Sequence, residues 1–230
     1  MSINVVERID ERVKVRHVLV SVSDKQGLDA FIPALVQLNP ELRIFSTGGT
    51  FAHLEKILGP SAGRHLTQVS DYTGQPETQG GLVKTLDFKI YLGLLTETYN
   101  AAHQADLQRT GGVAIDLVVV NLYPFRETIA KAGVGLEQAR GNIDIGGPCM
   151  IRAAAKNFIR VAPVVDPADY AAIASDLKAH AGSTTLALRF RLAGKAFEHT
   201  AAYDRAIADY LGRQSAADVS ASYRHALLMV

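Results

Sequence analysis

Short apolar segments alternate along the chain with stretches in which apolar residues recur at helical spacing. Several of the short segments lack alternation between polar and apolar residues, which is typical of strands buried on both faces of a parallel sheet. We predict strands at His17–Val22, Arg43–Ser46, Leu66–Ser70, Ile90–Leu95, Ile115–Asn121 and Val161–Val165. The pattern therefore favours an α/β protein with a mainly parallel sheet.

Helical periodicity fills the intervals between these strands. Ser23 or Asp24 is the expected N-cap of the first helix, and Asp166-Pro167 supplies the N-cap and first turn of a later one. The periodic apolar positions are Leu28, Phe31, Ile32, Leu35 and Val36, then Phe51, Leu54, Ile57 and Leu58, and later Tyr170, Ile173 and Leu177. The sequence from about Ser183 to Gly212 is helical without a strand signal. We predict a doubly wound α/β domain over residues 1–182 and a helical C-terminal extension over 183–230 packed on the same domain.

Composition and charge exclude several classes of protein. The 230 residues carry 24 lysines and arginines against 23 acidic residues, and 48% of the residues are hydrophobic. This balance excludes a disordered chain and argues against a protein that binds nucleic acid by neutralising phosphates. Cys149, the only cysteine, cannot form an internal disulfide or a thiolate metal site, which favours the cytoplasm. No apolar run approaches the ~20 residues of a membrane span, and the first residues do not resemble a signal peptide.

Polar residues directly follow the first two predicted strands, where a doubly wound fold binds its ligands. Ser23, Asp24 and Lys25 follow the first strand, and Ser46-Thr47-Gly48-Gly49-Thr50 follows the second. Hydroxyls, a lysine and two glycines at a helix start suit a phosphate group, since the first N–H groups of a helix have no partner within it. Simple capping and a tight turn explain the same residues, so the spacing leaves both interpretations open.

Two further motifs offer groups for the rest of a ligand. Lys84-Thr85 follows a glycine pair, and Asn121-Leu122-Tyr123 follows a buried strand with an amide and a phenol that can form hydrogen bonds. A surface lysine and a turn before Pro124 are the structural alternatives.

A third motif precedes a predicted helix at Cys149–Asn157. Asp144-Ile145-Gly146-Gly147 leads into Pro148, and the polar side of the helix carries Arg152 and Lys156. A solvent-facing basic edge explains these two cations equally well. At 1.5 Å per residue, Lys156 lies ~13 Å along the helix axis from Gly147.

The motifs, in their order, resemble the IMP cyclohydrolase domain, which is normally the N-terminal half of a bifunctional purine-biosynthesis enzyme. The resemblance runs from about Val15 to Leu211 and rests on SVSDK, STGGT, VSDYTG, VKTL, DLVVVNLYPF, NIDIGGP, RAAAKN, VVDPADY and KAFEHTAAYD. It implies the methylglyoxal-synthase-like α/β fold. It also implies closure of the pyrimidine ring of 5-formamido-imidazole-4-carboxamide ribotide to give IMP and water, without a metal or organic cofactor.

The resemblance also implies roles for individual residues. The phosphate-binding residues would be Ser23, Asp24, Lys25, Ser46, Thr47, Gly48, Gly49 and Thr50. The residues contacting the base and its amide would be Lys84, Thr85, Asn121, Leu122, Tyr123, Asp144, Ile145, Gly146 and Gly147, and Lys156 would transfer protons. We expect Lys156, Lys84, Tyr123 and Asp144 to be catalytic and the others to bind substrate.

The chain departs from the family around VKTL, where the family usually has GRVKTLHPKVHGGIL. Leu82 replaces an arginine, Asp87-Phe88 replaces His-Pro, and Tyr91-Leu92 replaces His-Gly. A lost guanidinium removes hydrogen bonds worth roughly 1.5–3 kcal/mol each. An added acid near a phosphate is unfavourable unless Asp87 points outward or pairs with Lys89. The tail over residues 215–230 does not resemble the start of the formyltransferase half, so we expect one cyclohydrolase-like domain without its usual partner.

These departures keep three hypotheses open: a stand-alone cyclohydrolase, a same-fold enzyme that closes a modified carboxamide nucleotide, and a catalytically silent nucleotide-binding or partner-binding subunit. In each case we expect a small-molecule nucleotide as ligand, neither nucleic acid nor membrane as partner, and a homodimer as one open oligomeric state. We predict that the apolar stripe of the C-terminal helix belongs to the core rather than to an interface; it comprises Phe190, Ala193, Phe197, Ala201 and Leu211.

Overall fold

The computed structural model describes residues 5–75 and 84–224. The strands are β1 (Arg12–Lys14), β2 (His17–Val22), β3 (Arg43–Ser46), β4 (Leu66–Gln68), β5 (Leu117–Asn121), β6 (Ala162–Val164) and β7 (Ser183–Thr185). The helices are α1 (Leu28–Leu38), α2 (Gly48–Leu58), α3 (Ala62–His65), α4 (Val69–Thr73), α5 (Phe88–Leu95), α6 (Ala101–Thr110), α7 (Phe125–Ile129), α8 (Leu136–Gly141), α9 (Gly146–Lys156), α10 (Tyr170–Ala179), α11 (Leu186–Leu211) and α12 (Ala216–Ala221). Short 3-10 turns lie at Gly59–Ser61 and Pro167–Asp169.

A five-stranded parallel sheet forms the centre of the fold, in the order β4-β3-β2-β5-β6. The chain moves outward from β2 to β3 and β4 and then crosses to β5 on the other side of β2. The strand order therefore reverses between β2 and β5. Doubly wound sheets bind ligands outside the carboxyl ends of the strands at this reversal.

Both faces of this sheet are buried. Val18 and Val20 of β2 pack on the face covered by α1 and α10, whereas Leu19 packs on the face covered by α5 and α9. All three side chains are fully buried. Burial on both sides explains why the strands lack polar alternation, and it confirms the predicted doubly wound α/β fold.

The predicted strands at His17–Val22 and Arg43–Ser46 are confirmed. Three later strands, β4, β5 and β6, are shorter than predicted. The strand predicted at Ile90–Leu95 is wrong. This segment belongs to helix α5, in which Ile90 and Leu94 face the core one turn apart. Asp87 caps the helix by accepting a hydrogen bond from the N–H of Lys89. A short segment with almost no polar residue has no visible period, so the pattern alone did not distinguish helix from strand.

Two helix starts also differ from the prediction. The N-cap of α1 is Gly27, with φ 77°, rather than Ser23 or Asp24. Its left-handed backbone and the ring of Tyr170, 3.2 Å from the position of an added Cβ, both favour glycine there. Helix α9 begins at Gly146, which places Pro148 inside its first turn.

The C-terminal segment contains a strand that the sequence did not indicate. Ser183–Thr185 forms β7 and pairs antiparallel with β1 in a separate two-stranded sheet. Thr185 then caps α11, which packs against α9 and β6. Phe190 and Phe197 of the predicted apolar stripe are 63% and 40% exposed, whereas Ala193 is buried, so the prediction that the stripe belongs to the core holds for Ala193 and is wrong for the two phenylalanines. No helix within residues 5–75 and 84–224 is long and apolar enough to cross a membrane.

Candidate functional site

A cavity of about 550 Å³ opens at the carboxyl ends of β2, β3 and β5. The starts of α2 and α9 both border it, because Gly48-Gly49 and Gly146-Gly147 lie in its lining. Two helix starts at one cavity direct backbone N–H groups and the positive ends of two helix dipoles toward a bound group. This geometry suits a ligand with negative charge or carbonyl oxygens.

Most of the predicted site residues line this cavity. They are Ser23, Lys25, Thr47, Gly48, Gly49, Thr50, Lys84, Thr85, Asn121, Tyr123, Asp144, Ile145, Gly146 and Gly147. Four predicted residues lie outside the lining: Asp24, Ser46, Leu122 and Lys156. Sequence reasoning did not place Ser21, Val22, Leu86, Val120, Gly141, Ile143 and Met150 there. Most of the latter are apolar, and an apolar side chain gives no sequence signal that separates a cavity wall from the core.

The α2 side of the cavity is rich in hydroxyl and ammonium groups. The hydroxyls of Ser21 and Thr47 lie 3.2 Å apart. The ammonium of Lys84 lies 3.6 Å from the position that a Cβ on Gly48 would occupy, and Gly48 has a φ of +46°. Lys25 donates to the carbonyl of Ser23 at 3.3 Å. An anion on this side would therefore meet a helix start, hydroxyls and two lysines.

Asn121 holds the loop between β2 and α1 in place. Its carbonyl oxygen accepts hydrogen bonds from the N–H groups of Ser23 (2.7 Å) and Asp24 (2.9 Å). Its amide nitrogen donates to the carbonyl of Asp24 at 2.8 Å. Both halves of the amide are thus engaged by one loop, and the side chain fixes the rim of the cavity rather than capping a turn before Pro124.

Two hydroxyls of the STGGT motif bind to strand β2. Thr50 Oγ1 accepts from the N–H of Val22 at 3.1 Å and donates to the carbonyl of the same residue at 3.0 Å. Ser46 Oγ, fully buried, donates to the carbonyl of Val20 at 2.8 Å. These side chains fasten the start of α2 to the sheet.

The α9 side of the cavity has room only for glycine at two positions. A Cβ on Gly147 would lie 2.5 Å from Cδ2 of Leu122 and 2.6 Å from Oδ2 of Asp144. A Cβ on Gly146 would lie 2.5 Å from Oγ1 of Thr85. The buried Leu122 therefore supports the start of α9 from behind, although it does not line the cavity.

Asp144 is the acidic side chain at this helix start. Its Oδ1 accepts from the N–H of Gly147 at 2.8 Å. Burial raises the pKa of Asp144 above its usual range, and hydrogen bonds from the backbone of Gly147 and Tyr123 oppose part of the rise. The carboxyl group is therefore poised to exchange a proton closer to neutral pH than an exposed aspartate.

Lys156 lies in the last turn of α9, exposed, at the opposite end of the helix from Gly146. Arg152, one turn before it, stacks over the ring of Phe197 at 5.5 Å. The structure therefore does not bring Lys156 to the cavity lining, and its part in proton transfer stays a prediction.

Among the departures from the family, Asp87 lies outside the cavity lining. Its side chain is 3% exposed, accepts from the N–H of Lys89 at 2.7 Å and accepts from Nε2 of Gln75 at 2.8 Å. As the cap of α5 it places no charge in the cavity lining. Leu82 lies outside the described residues. The described residues contain no group of three or more His, Cys, Asp or Glu side chains placed to hold a metal ion.

The parallel sheet with a polar cavity at its strand-order reversal defines the chain as a doubly wound α/β domain with a ligand site at its strand ends. A sequence profile described as the MGS-like domain matches residues 27–149, and one described as the AICARFT/IMPCHase bienzyme matches residues 154–228. The chain belongs to the MGS-like domain family. Its resemblance to the IMP cyclohydrolase domain is confirmed as a family assignment.

Similar proteins span most of the chain. It is 51% identical over 197 residues to the bifunctional purine biosynthesis protein PurH of Listeria welshimeri, covering 86% of this chain and 37% of the relative. It is 50% identical over 209 residues to PurH of Chlorobium chlorochromatii, covering 90% and 38%. A solved structure described as the crystal structure of ForH is 32% identical with a TM-score of 0.73, covering 86% of this chain and 97% of that one. The chain therefore spans little more than a third of the length of the curated relatives that it matches.

Proposed function

We propose that this chain is an IMP cyclohydrolase, which closes the ring of 5-formamido-imidazole-4-carboxamide ribotide to give IMP and water. The observation that carries the proposal is the convergence of Lys84, Tyr123 and Asp144 at one cavity with two helix starts. These residues come from three separate motifs. Sequence identity of about 50% to PurH proteins supports assigning the three to one active site.

The two sides of the cavity suit the two ends of such a substrate. The 5′-phosphate would bind at the start of α2, among the hydroxyls of Ser21 and Thr47 and the ammonium of Lys25. The formamide and carboxamide would lie at the start of α9, beside Asp144. Holding the two groups coplanar supplies much of the acceleration, because the reaction is intramolecular.

Ring closure begins when the carboxamide nitrogen attacks the formyl carbon. A C–N bond forms, and the formyl oxygen takes up the electron pair of its C=O bond. Asp144 accepts the proton that the nitrogen loses, while Lys84 and the N–H groups of the α9 start stabilise the oxyanion. The oxyanion then takes the proton held by Asp144 and becomes a hydroxyl, which regenerates the carboxylate.

Loss of water completes the ring. The hydroxyl leaves as water after it receives a proton from an ammonium group, and the former formamide nitrogen gives its own proton back to the resulting amine as the C=N bond forms. We assign the proton to the leaving oxygen to Lys156, following the family resemblance. Lys156 lies at the far end of α9 and outside the cavity lining, so this assignment rests on the family resemblance alone.

Turnover by the purified full chain tests the proposal. The formylated ribotide is added and IMP formation is followed by absorbance. We expect Lys84→Ala to lower kcat/KM by about 100-fold or more and also to weaken IMP binding. Lys56→Ala, which removes an exposed lysine at the other end of α2, is the matched control and should change neither value.

The same assay examines the assignment of Lys156. We expect Lys156→Ala to lower turnover by about 100-fold and to leave IMP affinity unchanged, because its side chain lies outside the cavity lining. Intact turnover would show that the assignment of Lys156 is wrong.

The alternatives predict other results. Tight IMP binding by calorimetry without any turnover would refute the cyclohydrolase and favour a silent nucleotide-binding subunit. Turnover of a modified carboxamide nucleotide at a higher kcat/KM than the purine intermediate would favour a same-fold enzyme with another substrate.

A further inference from the structure

The hydroxyl group of Tyr203, on helix α11, forms two hydrogen bonds with one wall of the cavity, the segment Asn142–Asp144. The N–H of Asp144 donates to the hydroxyl of Tyr203 at 2.9 Å. The same hydroxyl donates to the carbonyl of Asn142 at 3.1 Å. One side chain from the C-terminal helix thus satisfies a donor and an acceptor of the wall's backbone.

Tyr203 is itself held rigidly. It is 9% exposed, and its ring meets the ring of Phe125 edge-on with 6.2 Å between centroids. Burial raises the pKa of Tyr203, so its hydroxyl keeps the proton that it donates. A phenol with both hydrogen bonds made and a packed ring has little freedom to move.

The same part of α11 also supports the segment that carries Tyr123, whose backbone forms a hydrogen bond with the carboxyl group of Asp144. Phe125 begins α7 two residues after Tyr123, and the guanidinium of Arg126 donates to the carbonyl of Ala202 at 3.1 Å. The segments that carry Tyr123 and Asp144 therefore meet α11 at neighbouring residues, Ala202 and Tyr203.

We infer that Tyr203 is a positioning residue that fixes Asp144 against the start of α9 through its bonds to Asn142 and Asp144. Only the kinetic test of this inference rests on the proposed function. Without the hydroxyl, the wall loses both bonds and Asp144 is free to move by a fraction of an ångström from the place where it accepts the proton. Displacements of about 1 Å are enough to cost roughly 100-fold in rate.

The test compares Tyr203→Phe with Tyr210→Phe in the full chain. Tyr210 also lies on α11 and also packs edge-on against Phe125, at 5.8 Å, but no hydrogen bond joins it to the Asn142–Asp144 segment. We expect Tyr203→Phe to lower kcat roughly 10- to 100-fold with KM within about threefold, since substrate binding at the α2 side is untouched. Tyr210→Phe should leave both constants unchanged.

Amide hydrogen exchange supplies a readout that does not need turnover. In the unsubstituted chain the N–H of Asp144 should exchange slowly, and Tyr203→Phe should speed its exchange by about tenfold or more. Exchange in β2 and β5 should stay unchanged, which separates a local effect from general loosening of the fold.

Each outcome decides a different claim. Fast exchange at Asp144 in the unsubstituted chain, or equal exchange in both tyrosine variants, overturns the positioning role even if Tyr203→Phe folds poorly. Faster exchange in Tyr203→Phe with no turnover by any variant supports the positioning role and rejects the proposed function. If Tyr203→Phe raises KM and also speeds amide exchange throughout the chain, Tyr203 has only a structural role and the inference is overturned.

Discussion

At the scale of single residues, Asp144 joins a buried carboxyl group to the start of a helix. Burial favours its protonated form and raises its pKa, whereas the N–H groups of Gly147 and Tyr123 favour the charged form. A native-state pKa above the unfolded value means that the folded chain binds more protons than the unfolded chain between the two values. The free energy of unfolding therefore falls as pH rises through that window.

Asp144→Asn should consequently stabilise the protein at pH 7 while removing the proposed base. The amide oxygen can still accept from Gly147, and the cost of a buried charge disappears. We expect a higher melting temperature than that of the unsubstituted chain at pH 7, together with turnover reduced by about 100-fold. The gain should shrink as pH falls through the raised pKa and vanish below about pH 3.9, the ordinary aspartate value.

Glu55→Gln is the matched control, since Glu55 is an exposed acid on α2. This change should leave melting temperature and turnover as they are. A lower melting temperature in Asp144→Asn at pH 7 would contradict the direction of the pKa shift.

The sequence predicted most of the polar residues that line the cavity, but not the direction in which each side chain points. Ser46 and Thr47 are adjacent, yet Ser46 bonds to β2 and Thr47 lines the cavity, because successive side chains of extended backbone face opposite sides and Thr47, the N-cap of α2, is still extended. Asn121 turned out to hold a loop through both halves of its amide, a partnership between residues about a hundred positions apart. Such partners follow from the packed fold and have no local pattern.

At the scale of elements, the start of α9 brings a helix, a strand end and a loop within van der Waals contact. The sequence NIDIGGP indicated a helix start near this place, but the helix begins at Gly146, two residues before the predicted first position, Pro148. It did not show that Thr85 and Leu122 occupy the space beside the glycines. The error at α5 has another cause. Its segment has almost no polar residue, so the sequence shows neither a helical nor a strand period.

Gly147→Ala tests the close approach at this helix start. The added Cβ would overlap Leu122 and Asp144, so the free energy of unfolding should fall by about 1–3 kcal/mol. Turnover should fall as well, because relief of the overlap moves Asp144. Denaturant unfolding and the IMP assay measure the two effects.

Gly194→Ala provides the comparison within another helix. Gly194 lies on the exposed side of α11, and no atom would lie within 4 Å of its Cβ. Alanine should therefore add about 0.5–1 kcal/mol of stability there. Equal effects from the two substitutions would mean that the space around Gly147 is not limiting.

At the scale of the whole molecule, Arg189 joins α11 to segments distant in the sequence. Its guanidinium is fully buried and donates to the carbonyls of Thr184 (2.8 Å), Asp10 (2.7 Å) and Phe158 (3.0 Å). The sequence predicted that the C-terminal helix packs on the α/β domain. It gave no hint of this arginine, because arginine is normally exposed.

Arg189→Met should lower the free energy of unfolding by at least about 3 kcal/mol, since several buried carbonyls lose their donor. Arg213→Met, at an exposed position after α11, should change it by no more than about 0.5 kcal/mol. Chemical denaturation of both variants measures the difference. If Arg189→Met lowers the free energy of unfolding by less than a typical surface substitution does, the buried carbonyls find other donors.

The attachment of the Asn142–Asp144 wall to Tyr203 has a consequence for the order in which the protein matures. Except for Lys84, the residues named on the α2 side lie within the first fifty positions, so a growing chain can display most of them early. The ring-closing side has its hydroxyl support only after α11 has left the ribosome and docked. A nascent chain would thus hold the parts of a phosphate cradle long before it could perform chemistry, and competence would arrive in one step with the last long helix.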